Sequence, residues 1–306
     1  MVARLEEAVD QVGRVLLGKE TQIRLALACL LSRGHLLIED LPGMGKTTLA
    51  HALARVMGLG FSRIQFTSDL LPADILGVSV FDKETGGFVF YPGPVFSQVL
   101  LADEINRTTP KSQSALLEAM SERQLTVDGE TRELPDPFFV IATQNPSSQA
   151  GTFPLPESQL DRFLMRLELG YPDASAEREL LRGDDRRQLA ESIAPCFEPA
   201  DLAAISAAAV RVRVTDTLLD YVQRLVAFTR ESPDFAYGLS PRAALALVGC
   251  ARTWAVMVER DHVIPEDVQA VLPSVVEHRV REAADFTGHG GLALAQRLLT
   301  SVDVVG

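Results

Sequence analysis

The chain has 306 residues, of which 47% are hydrophobic, and its 29 basic and 41 acidic residues give a formal net charge of −12 at pH 7. This length predicts two domains rather than one, and the apolar content excludes wholesale disorder. The acidic balance argues against non-specific nucleic-acid binding, because an acidic surface repels the phosphate backbone, although a local basic groove is compatible with it.

The amino-terminal segment and the cysteines indicate the compartment. Met1–Gly13 has the charge pattern of an amphipathic helix and not of a secretory signal. Apolar runs such as Leu25–Leu31 are far shorter than a membrane span. The three cysteines are widely spaced and form no CxxC pair, so we expect buried thiols rather than a zinc site or disulfides. We therefore expect a cytoplasmic protein without a membrane span.

Strands and helices alternate in the first half of the chain. Helical periodicity covers Thr47–Met57 and Pro110–Arg123, and Thr109 before Pro110 is a favourable N-cap and first-turn pair. The alternation predicts an α/β fold in which helices cover a five-stranded parallel sheet. The predicted strands are His35–Glu39, Arg63–Phe66, Gln98–Ala102, Phe138–Ala142 and Leu164–Leu169.

Two hairpins interrupt this pattern, and helices follow it. Ser79–Asp82 and Phe88–Tyr91 flank the turn-rich KETGG, while Leu125–Val127 and Thr131–Leu134 flank Asp-Gly-Glu. We expect an α/β domain over residues 1–171 and a helical domain over residues 172–306. The predicted helices of the second domain are Ala200–Val210, Asp216–Arg230, Pro241–Arg260 and Pro265–Arg279.

A glycine loop, LLIEDLPGMGKTT, connects the first predicted strand to a helix. Because Gly43 and Gly45 lack side chains, backbone N–H groups can surround a phosphate chain there. Lys46 can reach the β- and γ-phosphates, and the Thr47 hydroxyl can hold Mg²⁺. Asp40 stands where the general pattern has glycine, and a glycine turn before an ordinary helix is the structural alternative. The strand and helix context favours nucleotide binding by Pro42, Gly43, Met44, Gly45, Lys46, Thr47 and Thr48.

Two further strand ends carry polar groups suited to phosphate chemistry. In QVLLADEIN, Asp103 can bind the Mg²⁺ shell and Glu104 can orient the attacking water, the alternative being a solvated acidic strand end. In FFVIATQNP, Asn145 can position the water or the γ-phosphate, because ligands collect at the carboxyl edge of parallel sheets. A turn residue before Pro146 is an equally good interpretation of Asn145.

The run LLADEINRTTPKSQSALLEAMSERQLTVDGETRELPDPFFVIATQNP, together with GTFPLPESQLDRFL, resembles the MoxR family of AAA+ ATPases. The resemblance extends from Leu16–Glu20 to Glu277–Val280, with the motifs in family order. The Asp-x-Pro-Gly form of the loop is common in this family, which accounts for Asp40. The resemblance implies a P-loop AAA+ core with Walker A and Walker B motifs, a C-terminal helical lid, and Mg²⁺-dependent hydrolysis of ATP to ADP.

The resemblance also assigns roles to single residues. It implies that Gly18 lies in the adenine-contacting segment, that Asn145 is sensor 1 and that Arg242 is sensor 2. It implies that Arg162 is an arginine finger that reaches the ATP of a neighbouring subunit. The segments implied to be the helix-2 insert and the pre-sensor hairpin are Thr67–Phe96 and Gln124–Leu134.

Each arginine also has an ordinary structural explanation. Arg162 can pair with Asp161 at the surface, where such a pair contributes about 0–1 kcal/mol. Arg242 sits at a predicted helix start, which disfavours a cation unless an anion lies nearby. Arg107 and Arg123 are weaker candidates for a contribution in trans.

The family implies a hexameric ring and chaperone-like remodelling of partners, with a von Willebrand factor A domain protein among them. Three other classes compete with this interpretation. One is a motor subunit of a DNA-remodelling or metal-chelatase complex, and another is a nucleotide-gated binding module with little turnover. The third is a small-molecule kinase, for which the sequence offers no acceptor-binding signature.

Overall fold

The structure is a computed structural model that describes residues 2–84, 86–145, 152–183, 186–283 and 291–305. The strands are β1 (Leu36–Glu39), β2 (Phe61–Gln65), β3 (Gly77–Asp82), β4 (Gly87–Pro92), β5 (Val99–Asp103), β6 (Gln124–Val127), β7 (Glu130–Glu133), β8 (Phe139–Gln144) and β9 (Met165–Leu167). The helices are α1 (Val2–Val15), α2 (Glu20–Leu31), α3 (Lys46–Val56), α4 (Pro72–Leu76), α5 (Pro110–Glu122), α6 (Glu157–Leu160), α7 (Ala174–Leu181), α8 (Arg186–Glu191), α9 (Pro199–Arg211), α10 (Asp216–Glu231), α11 (Pro241–Met257), α12 (Pro265–Val276) and α13 (Gly291–Ser301).

The five predicted strands form one parallel sheet in the order β2-β5-β8-β1-β9, which confirms the predicted fold class. Each observed strand end lies within two residues of the predicted one. Leu36 at the start of β1 lies opposite Ile141 and Met165, and Glu39 at its end lies opposite Gln144. Since all the strands run the same way, β1, β5 and β8 end at one edge of the sheet.

Side chains on both faces of β1, β5 and β8 are almost all buried, because helices cover each face. Leu36 and Ile38 point into a core cluster with residues of α1, α2 and α3. Leu37 points the other way, into a cluster that includes Ile75 of α4 and Leu116 of α5. Fully burying one such side chain contributes about 1.5–3 kcal/mol, so the strand holds the following loop in a fixed place.

The helices beyond β9 share the first of these cores. Leu225, Leu247 and Val271 lie in the same apolar cluster as Leu27 and Met165. The four helices predicted there are present, but α11 ends at Met257 rather than Arg260, and α12 ends at Val276 rather than Arg279. The residues that follow α11 leave the helical conformation, with Glu259 at φ 60°. None of the described helices combines the length and the apolarity that crossing a membrane requires.

At the start of α5, the predicted N-cap and first-turn pair is present, but without a capping hydrogen bond from the side chain. Pro110 occupies the first turn as predicted, and Thr109 is in the N-cap position. The Thr109 side chain makes no capping hydrogen bond, however, so its hydroxyl does not stabilise the helix start in the expected way.

Both predicted hairpins are present. β3 pairs with β4 and β6 pairs with β7, each antiparallel. The guanidinium of Arg132 in β7 lies 4.1 Å from the centre of the Phe90 ring in β4, so the second hairpin contacts the first. At the tip of the first hairpin, Phe88 is 75% exposed and packs edge-on against the exposed Phe81. Other exposed apolar side chains on this hairpin are Val78, Val80, Val89 and Tyr91.

Candidate nucleotide site

The glycine loop connects β1 to α3 at the carboxyl edge of the sheet. Gly43 and Gly45 have φ values of 87° and 92°, a region that residues with side chains rarely adopt. A Cβ atom on Gly45 would also lie 2.7 Å from Leu16 Cδ1. Because the first N–H groups of α3 have no partner within the helix, the end of this loop can bind an anion.

Lys46, the first residue of α3, is 7% exposed. Its ammonium donates hydrogen bonds to the backbone oxygen of Asp40, to that of Leu41 at 3.3 Å and to Asn145 Oδ1 at 3.0 Å. Burial lowers the pKa of Lys46, and nearby carboxylates, first Asp40 and then Asp103, oppose that shift. The cation is therefore held beside the loop, with neutral oxygens as its direct partners.

The Asp40 carboxylate connects the loop to the residues just beyond β9, the edge strand next to β1. Its Oδ1 accepts from Leu41 N at 2.7 Å, and its Oδ2 accepts from Leu169 N at 2.8 Å and from Gly170 N at 2.7 Å. A glycine in this position would leave those backbone N–H groups without the carboxylate. The departure from the general motif thus has a structural function that is visible only when β9 lies next to β1.

Asp103 ends β5 and is almost fully buried, with donors on both oxygens. Oδ1 accepts from Thr143 Oγ1 at 2.6 Å, and Oδ2 accepts from Thr47 Oγ1 at 3.3 Å. Oδ2 also accepts from Arg63 Nη2 at 2.6 Å.

The paired oxygens of Thr47 and Asp103 fit Mg²⁺, a hard cation that takes few protein ligands and completes its shell with water and phosphate oxygens. Among the described residues, no group of three or more His, Cys, Asp or Glu side chains offers an all-protein metal site. The sequence-predicted metal residues are therefore brought together, and phosphate oxygens and water would have to supply the remaining ligands.

Glu104 follows β5 in the left-handed conformation, with φ 57° and ψ 49°. This conformation is unfavourable for a residue with a side chain, and a hydrogen bond from Glu104 N to Thr143 Oγ1 at 2.8 Å stabilises it. The carboxylate accepts from Asn145 Nδ2 at 3.2 Å on Oε1. On Oε2 it accepts from Gln65 Nε2 at 3.1 Å and from Arg107 Nη1 at 2.8 Å.

Asn145 therefore contacts both Lys46 and Glu104, with its amide oxygen on the first and its amide nitrogen on the second. Its backbone oxygen accepts from Asn106 Nδ2 at 2.9 Å. Pro146, on which the turn interpretation of Asn145 depended, lies outside the described residues.

Arg162 lies on the amino side of β9, away from the glycine loop. Leu164 N bonds the His35 oxygen, which places this segment beside the start of β1 rather than its end. The guanidinium donates to Leu117 O at 2.6 Å and to Ser121 Oγ, both near the end of α5. The alternative pairing with Asp161 is not observed, since the Asp161 carboxylate binds Arg279 at 2.7 Å.

Arg242 lies near the start of α11 and is 69% exposed. Its Nη1 is 3.5 Å from Asp161 Oδ2, so an acidic side chain accompanies the cation at the helix start. None of the residues that hydrogen-bond Lys46 also bonds Arg242, so no shared partner connects the two cations. Arg242 is instead placed beside the residue that precedes Arg162.

The remaining predicted residues flank the loop. Gly18 has φ 66°, which strains a residue with a side chain, and a Cβ there would be tightly packed, 3.1 Å from Ala176 Cβ and 3.2 Å from Asp173 Oδ2. This places the segment predicted to contact adenine against the start of α7. Arg123 ends α5 in the left-handed conformation, and Arg107 is bonded to Glu104 as described above.

A cavity of about 360 Å³ extends from Asn145 to the residues that follow α12. Glu39, Arg166 and Glu277 line it, with the Arg166 and Glu39 side chains 3.2 Å apart. Burial raises the pKa of Glu277 to about 7, while Arg166 opposes the shift and Glu168 adds to it.

The sequence analysis missed two residues of the site, Arg63 and Gln65, which bind the two acidic side chains, and it considered Arg107 only for a contribution in trans, whereas Arg107 bonds Glu104 of its own chain. Arg63 and Gln65 alternate along β2, so a shared face was predictable from the period of a strand. It was not predictable that β2 lies next to β5. Arg63 and Gln65 belong to the site only because of that neighbour.

Residues 35–165 match the family model described as the ATPase family associated with various cellular activities (AAA), and residues 227–297 match the AAA lid domain. The chain is 44% identical over 302 residues to the uncharacterized protein YeaC of Bacillus subtilis (strain 168), covering 98% of this chain and 94% of that protein. It is 42% identical over 289 residues to chaperone MoxR1 of Mycobacterium tuberculosis, covering 91% and 76%. A crystal structure of a Cytophaga hutchinsonii protein assigned as an ATPase superposes with a TM-score of 0.88 at 36% identity, covering 99% of this chain and 95% of that one.

Proposed function

The chain belongs to the MoxR family of AAA+ ATPases, and from that premise we propose that it hydrolyses ATP in an oligomeric ring to remodel or mature partner proteins. The observation that carries the proposal is the Asn145 side chain, whose two ends bond Lys46 and Glu104. The Asn145 amide thereby connects Lys46, which can bind a phosphate, to Glu104, which can orient a water molecule.

Binding begins at the glycine loop. The phosphate chain lies against the N–H groups at the start of α3, where the helix dipole favours negative charge. Lys46 exchanges a neutral backbone acceptor for a phosphate oxygen, a stronger partner because it is charged. Thr47 and Asp103 would hold Mg²⁺, which when bound neutralises charge on the phosphates.

Glu104 then prepares the water. A carboxylate offers about four lone-pair positions, and Asn145, Gln65 and Arg107 occupy three of them. One position remains for a water that donates to it. Because three donors fix the carboxylate, the water is aligned without further ordering of the side chain.

Of the two remaining arginines, Arg162 acts on the ATP of a neighbouring subunit, and Arg242, as sensor 2, contacts the γ-phosphate from the helical lid. Arg242 lies 3.5 Å from Asp161, the residue that precedes Arg162, so the two arginines lie in the same region of the surface. To reach a phosphate, Arg162 releases Leu117 O and Ser121 Oγ, neutral acceptors that a phosphate outcompetes. This arrangement requires a ring, and we propose a hexamer.

Residues 172–306 form the lid, with the boundary after Tyr171. The lid holds the finger segment directly, because the Arg279 guanidinium donates to Phe163 O at 2.6 Å and to Leu164 O at 3.1 Å. Closure of the lid over nucleotide would therefore move the residues around Arg162. We propose that this motion reaches a cytoplasmic partner, a von Willebrand factor A domain protein, through the exposed hairpins.

The experiment compares Lys46→Ala and Glu104→Gln in the full chain. Lys46→Ala is expected to abolish binding of a fluorescent ATP analogue, since the loop loses its cation. Glu104→Gln is expected to keep binding and lose phosphate release, because only the preparation of water is removed. Lys111→Ala and Glu118→Gln, two exposed positions on α5, are the matched controls and should leave both measurements unchanged. Normal turnover by Glu104→Gln would refute the role of Glu104 as base.

A further inference from the structure

Arg63 occupies the oxygen of Asp103 that faces Thr47. Its Nη2 and Nε lie 2.6 and 3.1 Å from Asp103 Oδ2, and both donate to it. The same oxygen accepts from Thr47 Oγ1 at 3.3 Å. The other oxygen, Oδ1, is taken by Thr143. With three donors, Oδ2 is fully occupied, whereas Oδ1 accepts a single hydrogen bond.

Of these donors, Arg63 can leave at the least cost. Its side chain is 48% exposed and comes from β2, the edge strand of the sheet, so the guanidinium can turn into water. Thr143 is fully buried and also holds the backbone of Glu104. The Thr47 hydroxyl can donate to Asp103 and still offer its lone pairs to a cation.

We propose that Arg63 competes with Mg²⁺ for Asp103 Oδ2 and thereby sets how strongly nucleotide binding depends on the metal. This rests on the proposed nucleotide site, in which Thr47 and Asp103 hold Mg²⁺. A cation at Thr47, or one of its water ligands, has to take or share the oxygen that Arg63 binds. Because Arg63 and Mg²⁺ are both positive and would share Asp103 Oδ2, each contact weakens the other.

The competition affects the two binding conditions in opposite directions. In the absence of Mg²⁺, Arg63 neutralises Asp103, which would otherwise repel the incoming phosphates, so it strengthens binding of metal-free nucleotide. In the presence of Mg²⁺, the metal has to displace Arg63, so the same side chain weakens binding. Arg63 therefore lowers the ratio of the nucleotide dissociation constant without Mg²⁺ to the dissociation constant with Mg²⁺.

A different role for Arg63 gives a different result. If Arg63 instead contacted the phosphates directly, its loss would weaken nucleotide binding in both conditions, and the ratio would stay constant or fall. The ratio of dissociation constants thus separates competition from direct contact, and neither value requires hydrolysis.

The test is equilibrium binding of a fluorescent ADP analogue to the full chain, in excess EDTA and in saturating MgCl₂. In Arg63→Gln we expect the ratio of the EDTA to the Mg²⁺ dissociation constant to rise about tenfold, the effect of one charge-assisted hydrogen bond discounted for exposure. Arg63→Lys keeps the charge without the two-nitrogen contact, so an intermediate rise is expected. Arg213→Gln, which breaks an exposed ion pair with Asp261 in the helical region, is the matched control and should not change the ratio.

Thermal melting of each variant establishes that it is folded before binding is measured. A ratio that is unchanged or lower in Arg63→Gln overturns the inference while leaving the nucleotide site in place. Failure of the unaltered chain to bind ADP in either buffer would refute the proposed nucleotide site itself, and with it the role of Arg63.

Discussion

Replacing Asp40 by glycine should destabilise the chain, although it restores the general form of the glycine loop. Asp40 has a negative φ, so the loop does not require glycine there. The substitution removes a carboxylate that accepts from Leu41 N, Leu169 N and Gly170 N. Two of these donors lie beyond β9, and losing them separates the loop from that strand.

The magnitude follows from the exposure of the donors. The bond to Leu169 N is partly buried, while those to Gly170 N and Leu41 N are exposed. A hydrogen bond to a charged group contributes about 1.5–3 kcal/mol, and the exposed ones contribute less. Glycine adds roughly 0.5–1 kcal/mol through the entropy of the unfolded chain. We expect a loss of about 3 kcal/mol in the free energy of unfolding, or on the order of 5 °C in melting temperature for a chain of 306 residues.

The assay is thermal unfolding followed by circular dichroism, with Asp40→Gly compared with Asp40→Ala and Asp74→Ala. Asp40→Ala removes the same bonds without the entropy change, so it should be slightly less damaging than Asp40→Gly. Asp74 accepts one exposed bond, from Leu71 N three residues away, so its loss should have little effect. A melting temperature for Asp40→Gly within the error of the unaltered chain would refute the account of Asp40 as a connection to β9.

Three other predictions concern Arg162, the first hairpin and the cavity. Arg162→Ala should bind ATP nearly normally, but its turnover should fall by a factor on the order of 10³–10⁵. Mixing it with Lys46→Ala should restore part of the ATPase activity. Mixed rings without any recovery would exclude a role of Arg162 in trans. Shortening Phe81–Phe88 should leave basal turnover intact and weaken partner remodelling, whereas a large drop in melting temperature would show that the tip is structural. Because the folded chain keeps the Glu277 proton up to about pH 7 and the unfolded chain loses it near 4.5, stability should fall as the pH rises through this window. Glu277→Gln should abolish that fall and be more stable at pH 8 by up to about 3 kcal/mol, and an unchanged pH profile would contradict the raised pKa.

The parts of the site that depend on local sequence were predictable. Short apolar runs predict buried strands whatever their order, and a glycine loop between a strand and a helix specifies its own geometry. Asp103 and Asn145 both follow such strands, so their meeting at one edge required only that the sheet be parallel.

The parts that depend on strand order were not predictable. Arg63 contacts Asp103 because β2 lies beside β5, and Asp40 reaches Leu169 because β9 lies beside β1. The placement of Arg242 depends on how α11 packs, and no pattern within that helix specifies Asp161 as its neighbour. Glu104 illustrates a backbone effect of the same kind, since its left-handed conformation depends on Thr143 of another strand.

The burial of the three cysteines makes the chain suitable for site-directed labelling. Cys29, Cys196 and Cys250 are all buried, and burial raises the pKa of each thiol, to about 12 for Cys250. Because the thiolate is the nucleophile, native thiols with raised pKa values react slowly with maleimides at neutral pH. A cysteine introduced at an exposed position such as Phe88 would therefore react selectively, without removal of the native ones. Pairs of such labels, one on the hairpin and one on the helical region, would report the distance between them by fluorescence transfer during turnover.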